Sequence, residues 1–249
     1  MTFRFIILAA GKGTRMGADI PKALVPVGGK PILQHLYESV LDSGVNGIPL
    51  VVVGHERTQL CETFGGKCDY VVQEDQLGTA HAVGVCKDAV NDADAVIVLY
   101  GDHPFVSAQT LRELAKLHET SRSVLSMMTT TVPSFDEWGI YQHWGRIVRD
   151  VHGHVTAIRE YKDAMDSERE IKELNPAFYC FDTKWLWENI GQVKNLNAKG
   201  EYYLTDLVEL AVAQGHEIET MSVTPEEAVG VNSPQELEVA EKLLATRNG

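Results

Sequence analysis

A chain of 249 residues, 44% hydrophobic and 23% charged, is long enough to bury a sizeable core and has the composition of a globular protein. Its formal net charge of −13 argues against non-specific nucleic-acid binding, because a phosphate backbone is repelled on average. A small anionic substrate is not excluded, since Arg4, Lys12, Arg15 and Lys22 gather positive charge near the N-terminus.

Cys61, Cys68, Cys86 and Cys180 form no C-x-x-C pair and no zinc spacing, and read as idle thiols of a cytosolic protein. The apolar run Phe5 to Ala10 after Arg4 is shorter than the h-region of a signal peptide. No segment approaches the roughly 20 apolar residues of a membrane span. A cytoplasmic protein without a membrane partner is expected.

In chain order, strands are predicted over 3–10, 48–54, 68–73 and 95–102. They are nearly all-apolar rather than alternating, as suits strands buried on both faces of a parallel sheet. Helices are predicted between them. In 31–43, Pro31 stands at a first-turn position, an apolar face follows, and Gly44 is the stop. Helices over 78–90 and 107–119 read similarly, the latter with Ser107 as N-cap. Past residue 123 the pattern turns to longer strands and hairpins: 123–132, 144–151, 154–161 around His152-Gly153-His154, and 175–182. Helices at 203–214 and 233–246 follow, with a strand at 216–223 between them.

Repeated β-then-α units predict an α/β fold with a doubly wound, mostly parallel central sheet. Ligands in such sheets bind at the carboxyl ends of the strands. No repeat or linker separates a second domain, so 1–249 reads as one domain, with a change of pattern after residue 122.

The loop after the first strand, Leu8-Ala9-Ala10-Gly11-Lys12-Gly13-Thr14-Arg15, fits neither familiar phosphate loop. Lys12 precedes Gly13, so the Walker A order fails, and Gly11, Gly13 and Gly17 give G-x-G-x-x-x-G without the acidic residue of a dinucleotide fingerprint. What remains is a strand end, glycines that admit close approach, and amides and cations that could face an anion; a Gly-rich turn with solvated lysines reads equally well.

The whole stretch "LAAGKGTRMGADIPKALVPVGGKPILQH" resembles the signature of sugar-phosphate nucleotidyltransferases. The segment "QEDQLGTAHAV" (73–83) is similar to the base-recognition loop of bacterial N-acetylglucosamine-1-phosphate uridylyltransferases, a Rossmann-like nucleotidyltransferase family. The resemblance implies Mg²⁺-dependent transfer from UTP to a hexose 1-phosphate, N-acetylglucosamine 1-phosphate in the first place, giving a UDP-sugar and pyrophosphate. It implies nucleotide binding by Leu8, Ala9, Ala10, Gly11, Gly13, Gln73, Gly78 and Thr79, with Gln73 on the uracil edge. It also implies catalytic roles for Arg15, Lys22 and Asp102, and a first part, 1–122, mainly for nucleotide with a second, 123–249, mainly for sugar and the C-terminal helices.

Asp102, after "AVIVLYG", matches the family's metal carboxylate, although a Gly-Asp pair also suits a turn. Asn232 in "VGVNSP" matches the second metal ligand and could equally cap the following helix. His103 is assigned no general-acid or metal role, because the family commonly has an apolar residue there. His152 and His154 read as solvated residues of a hairpin tip rather than a metal pair. Sugar contacts implied by the resemblance are Tyr100, Gly101, Gly145, Glu160, Asn175, Tyr203 and Thr205, within motifs such as "WGRIVRD" and "NAKGEYYLTD".

Three departures stand out. Pro176-Ala177 follows Asn175 where the family has Thr-Gly, "WGIYQHWGRI" (138–147) carries extra aromatics and a rival glycine, Gly139, and the chain shows none of the hexapeptide repeats of the family's acetyltransferase β-helix. The first two bear on sugar identity; the third predicts no acetyl transfer. Other readings are a different sugar 1-phosphate, thymidylyl transfer, or a non-catalytic nucleotide-sugar sensor, against which the set Lys22, Asp102 and Asn232 argues. A nicotinamide dehydrogenase lacks its acidic residue. Oligomeric state is not legible in these residues.

Overall fold

The computed structural model describes residues 1–11, 20–55, 57–90 and 92–247. Strands β1 (Phe3–Leu8), β2 (Leu50–Val53), β3 (Asp69–Val72) and β4 (Ala95–Tyr100) lie parallel in the order β3-β2-β1-β4. In β1, Phe5 and Ile7 enter one core while Ile6 enters the other; in β4, Ile97 and Leu99 oppose Val96 and Val98. Both faces are covered, so the expected all-apolar runs have a direct physical cause. Each such side chain contributes about 1.5–3 kcal/mol by leaving water.

Helices α1 (Ile32–Ser43), α2 (Arg57–Phe64) and α3 (Thr79–Gly84) connect these strands, and α4 (Ala108–Ser121) follows the last of them. Ser107 caps α4 by accepting from the Thr110 N–H at 3.1 Å, and Gly44 ends α1 with φ 66°, both as expected. Pro31 stands one residue before α1 rather than inside it. The helix expected over 78–90 stops at Gly84 and gives way to a 3-10 turn at Lys87–Ala89.

The second half extends the sheet in antiparallel fashion, as the hairpin pattern suggested. Its strands are β5 (Leu125–Thr131), β6 (Arg146–Arg149), β7 (Val155–Arg159), β8 (Glu173–Leu174), β9 (Tyr179–Asp182) and β10 (Glu219–Val223). β9 pairs with β4 and β5, β8 bridges β5 and β6, and β10 runs parallel along the other edge of β5. The remaining helices are α5 (Asp166–Arg169), α6 (Thr183–Asn189), α7 (Asp206–Ala213), α8 (Pro225–Ala228) and α9 (Pro234–Arg247). Among the described residues no helix is long and apolar enough to cross a membrane.

The strand expected over 175–182 begins only at Tyr179. Pro176 has no N–H for the ladder, and Ala177 takes φ 64°, so Asn175 to Phe178 bulge between β8 and β9. A left-handed alanine carries about 1–2 kcal/mol of strain. Ala177→Gly is therefore expected to raise stability by about 0.5–1 kcal/mol in urea unfolding, after glycine's extra unfolded-state freedom is subtracted. Destabilisation by that variant would contradict the strain assignment.

Candidate active site

The carboxyl ends of β1 and β4 lie side by side, with Leu8 opposite Tyr100. Beyond them, the Ala9 N–H donates to Val52 O at 2.9 Å and the Gly101 N–H to Leu8 O at 2.9 Å. A cavity of about 270 Å³ opens here, lined by Leu8, Ala9, Ala10, Gly11, Gln73, Gly78, Thr79 and Gly101. These include the expected nucleotide residues other than Gly13, and two expected sugar contacts, Tyr100 and Gly101, line the same cavity. Lys12, Gly13 and Arg15 lie outside the described residues.

Gln73 is buried, and its NH₂ donates to Gly78 O at 3.1 Å and meets His81 Nδ1 at 2.9 Å. What the amide has left for a base is its carbonyl oxygen, an acceptor that matches an imide N–H. Gln76 was not foreseen: its Nε2 donates to Ala10 O and closes one wall of the same cavity.

The base loop is clamped to the segment before α7. Tyr202 N–H donates to Leu77 O at 2.8 Å, Ala80 N–H to Tyr202 O at 2.9 Å, and Leu204 N–H to Thr79 Oγ1 at 2.9 Å. Gly78 makes this possible, with φ 123° and ψ 179°, a region essentially closed to other residues. A Cβ there would lie 2.5 Å from Tyr202 O.

A second cavity, of about 640 Å³, shares Thr79, Tyr100, Asp102 and Glu201 with the first. Gly145, Glu160, Asn175, Tyr203 and Thr205 line it, so the expected sugar residues other than Gly101 converge on one space. Tyr203 Oη and Thr205 Oγ1 are buried with no hydrogen-bond partner, a state that hydroxyl-rich ligands relieve. Burial raises the pKa of Glu160, with Lys199 acting against it. Asn175 is more committed than expected: its Nδ2 donates to Tyr179 Oη at 2.6 Å and its Oδ1 accepts from Ala177 N–H at 3.0 Å.

The aromatic insertion forms part of this cavity's wall through Gly139, Ile140, His143 and Trp144. Trp138 stacks on Tyr141 at 5.6 Å, and Tyr141 packs on Trp144 at 4.3 Å. Fully buried Arg146 anchors it, donating to Trp144 O at 2.6 Å, Gln142 O at 2.8 Å and Arg169 O at 3.0 Å. Phe135 holds the guanidinium at 4.7 Å from its ring centre. Arg146→Lys keeps a charge but not three carbonyl partners. It is expected to cost about 3 kcal/mol in urea unfolding, because buried carbonyls lose their donors. A loss below about 1 kcal/mol would contradict that role.

At the seam of the two cavities, Lys22 Nζ lies 2.7 Å from Asp102 Oδ2 and 2.8 Å from Asn232 Oδ1. The Val231 N–H donates to Asp102 O at 2.8 Å, which fixes the Asn232 segment against the strand end. Ser233 Oγ, not Asn232, caps α9 by accepting from the Glu236 N–H at 3.3 Å, so the amide of Asn232 is directed to the seam. Burial disfavours the Asp102 carboxylate, but the charge of Lys22 leads what opposes it, and its pKa comes down to about 2. Its contribution to stability is thus present above the unfolded value of about 3.9 and lost as pH falls toward 2.

Asp102 Oδ1 is buried and accepts no hydrogen bond. Among the described residues no three of His, Cys, Asp and Glu converge. Magnesium ordinarily takes one or two protein oxygens and completes its shell with substrate phosphates and water, so Asp102 and Asn232 fit it. His152 and His154 stand at the exposed tip of the β6–β7 turn, 6.3 Å apart by ring centres.

A model of the MobA-like NTP transferase domain matches residues 5–174. The chain belongs to this family. It is 39% identical to the bifunctional protein GlmU of Desulfotalea psychrophila, with 97% of this chain and 70% of that protein covered. It is 40% identical to GlmU of Brevibacillus brevis over 97% of this chain and 51% of the relative. The chain spans about half the length of most of the curated relatives it matches. Among solved structures, a UDP-glucose pyrophosphorylase complexed with UDP-glucose superposes with TM-score 0.78 at 16% identity, covering 99% of this chain and all of that one. A CMP:2-keto-3-deoxy-manno-octonic acid synthetase complexed with CTP gives TM-score 0.69 at 20% identity over 99% of this chain. These likenesses bear out the Rossmann-like nucleotidyltransferase fold of this family member.

Proposed function

We propose that the protein is a cytoplasmic, Mg²⁺-dependent uridylyltransferase that joins UTP and N-acetylglucosamine 1-phosphate into the UDP-sugar, releasing pyrophosphate. The observation that carries this reading is the position of Asp102, with Lys22 and Asn232 beside it, on the seam between a cavity with an imide-matching amide and a cavity with unpartnered hydroxyls.

The phosphate oxygen of the sugar phosphate attacks the α-phosphorus in line, the bond to the β-phosphate oxygen breaks, and pyrophosphate leaves. The nucleophile is already ionised, so no side chain has to remove a proton. Asp102 and Asn232 would hold Mg²⁺, which neutralises charge on the reacting phosphates. Lys22 supplies a fixed positive charge at the same seam. Arg15, outside the described residues, is assigned a phosphate-steadying charge on the resemblance alone. Gln73 and the amides from Leu8 to Gly11 seat the uridine. Glu160, Asn175, Tyr203, Thr205 and Tyr100 seat the sugar, with Gly145 giving it room.

The test is α-³²P-labelled UTP with N-acetylglucosamine 1-phosphate and Mg²⁺. Label is expected in the UDP-sugar and none in pyrophosphate. A folded protein that binds UTP but transfers no label would overturn the reading in favour of a sensor. The aromatic wall and Ala177 favour a second reading, in which the acceptor is a different sugar 1-phosphate.

A further inference from the structure

His103 was given no role from sequence, yet its surroundings are those of a metal ligand. The ring is buried between Phe178, at 4.9 Å between centres, and Trp144, at 5.9 Å. Nδ1 lies 2.9 Å from Ala228 O. A carbonyl only accepts, so Nδ1 carries the hydrogen and Nε2 is the ring atom left to bind. Metal-binding histidines are typically held in this way, with the second ring nitrogen donating to a carbonyl or carboxylate.

Nε2 stands 3.5 Å from Asp102 Oδ1, the carboxylate oxygen that is buried without a hydrogen-bond partner. Two ligands on one divalent cation, with bonds of about 2.1 Å, are separated by roughly 3 to 3.5 Å. Gly230 packs against the ring, where a Cβ would come 3.0 Å from Cε1 and 3.1 Å from Nε2, so only glycine leaves the imidazole in this place. The other carboxylate oxygen and Asn232 Oδ1 face Lys22. His103, Asp102 and Asn232 all line the second cavity.

We propose that His103 Nε2 is a third protein ligand of the divalent cation, and that this nitrogen shifts the site's preference from Mg²⁺ toward Mn²⁺ or Co²⁺. An all-oxygen set suits Mg²⁺ and Mn²⁺ alike; a nitrogen ligand discriminates against the harder Mg²⁺, modestly in favour of Mn²⁺ and more strongly in favour of Co²⁺. The inference rests on the reading of Asp102 and Asn232 as metal ligands, but not on the identity of nucleotide or sugar.

The test is pulsed EPR on bound Mn²⁺, with and without UTP, using protein carrying ¹⁴N- or ¹⁵N-histidine. Nitrogen coupling that changes with the histidine label and disappears in His103→Gln is expected. The same variant is expected to reduce the Mn²⁺ to Mg²⁺ affinity ratio roughly tenfold, measured by competition binding. The isotope comparison uses the native chain, so it stands even where the variant folds poorly. Bound Mn²⁺ that is lost in Asp102→Asn but shows no histidine coupling overturns the His103 assignment and leaves the oxygen ligands intact. No bound Mn²⁺ in either arm overturns both.

Discussion

Asp102→Asn is expected to lower the rate of pyrophosphate release by about a thousandfold, the scale on which removal of a charge-stabilising group acts in a closed site. The substitution keeps the shape of the side chain and removes its charge. It thereby takes away an oxygen held well below the usual carboxylate range and leaves Lys22 without its anionic partner at 2.7 Å. The side chain is 9% exposed, so the change also leaves the ammonium poorly compensated. The variant should still show the native circular dichroism, because the ten-stranded sheet does not depend on the carboxylate. A rate within tenfold of the parent would remove Asp102 from the catalytic set.

Gly78→Ala is expected to be strongly damaging. The new Cβ would sit 2.5 Å from Tyr202 O and 2.7 Å from Tyr202 N, both backbone atoms, at a φ of 123° that an alanine resists. About 2–3 kcal/mol of strain follows, and the clamp that joins residues 77–80 to 202–204 must open. That clamp holds Thr79, which lines both cavities, together with Tyr203 and Thr205 of the second. KM should therefore rise for both substrates together, which initial-rate kinetics over both concentrations would reveal. A variant with unchanged KM for the sugar phosphate would show that the clamp does not couple the two cavities.

The legible part of the molecule is the part governed by local pattern. Strands such as β4 announce themselves because residues on both faces are buried, and α4 does so through Ser107 and a clear apolar face. Helix α2 escaped because only Leu60 and Phe64 are buried on it, too few to set a period. Helix α6 escaped because it starts at Asp182 directly from β9, whose side chain accepts from the Trp185 N–H. The Gly-rich loop and the Asp102, Asn232 and "QLGT" motifs were legible through resemblance. The aromatic segment 138–147 was legible as a departure that bears on the sugar pocket, and Gly139, Ile140, His143 and Trp144 do line that cavity. Gln76, Glu201 and Lys199 were not legible, because their positions in the cavities are set by contacts far away in the chain. His103 is the sharpest case: no local pattern ties residue 103 to the carbonyl of Ala228, 125 residues on.

Two features set the acceptor side of this family member apart. Asn175 spends both ends of its amide on Tyr179 and Ala177, so its backbone bulge, not a free amide, shapes that side of the cavity. Another part of the lining, Gly139, Ile140, His143 and Trp144, is backed by Trp138 stacked on Tyr141 and fastened by the bonds of Arg146 to the carbonyls of Gln142 and Trp144. Rigid apolar walls select by exclusion as well as by contact, so sugar choice is expected to be narrow.

Pyrophosphate release with Mg²⁺, crossing UTP, dTTP, ATP and GTP against the 1-phosphates of N-acetylglucosamine, glucose and galactose, tests the central claim most directly. Release confined to UTP with N-acetylglucosamine 1-phosphate is the predicted result. Release with another nucleotide in place of UTP, or silence from a folded protein across the whole panel, would contradict it.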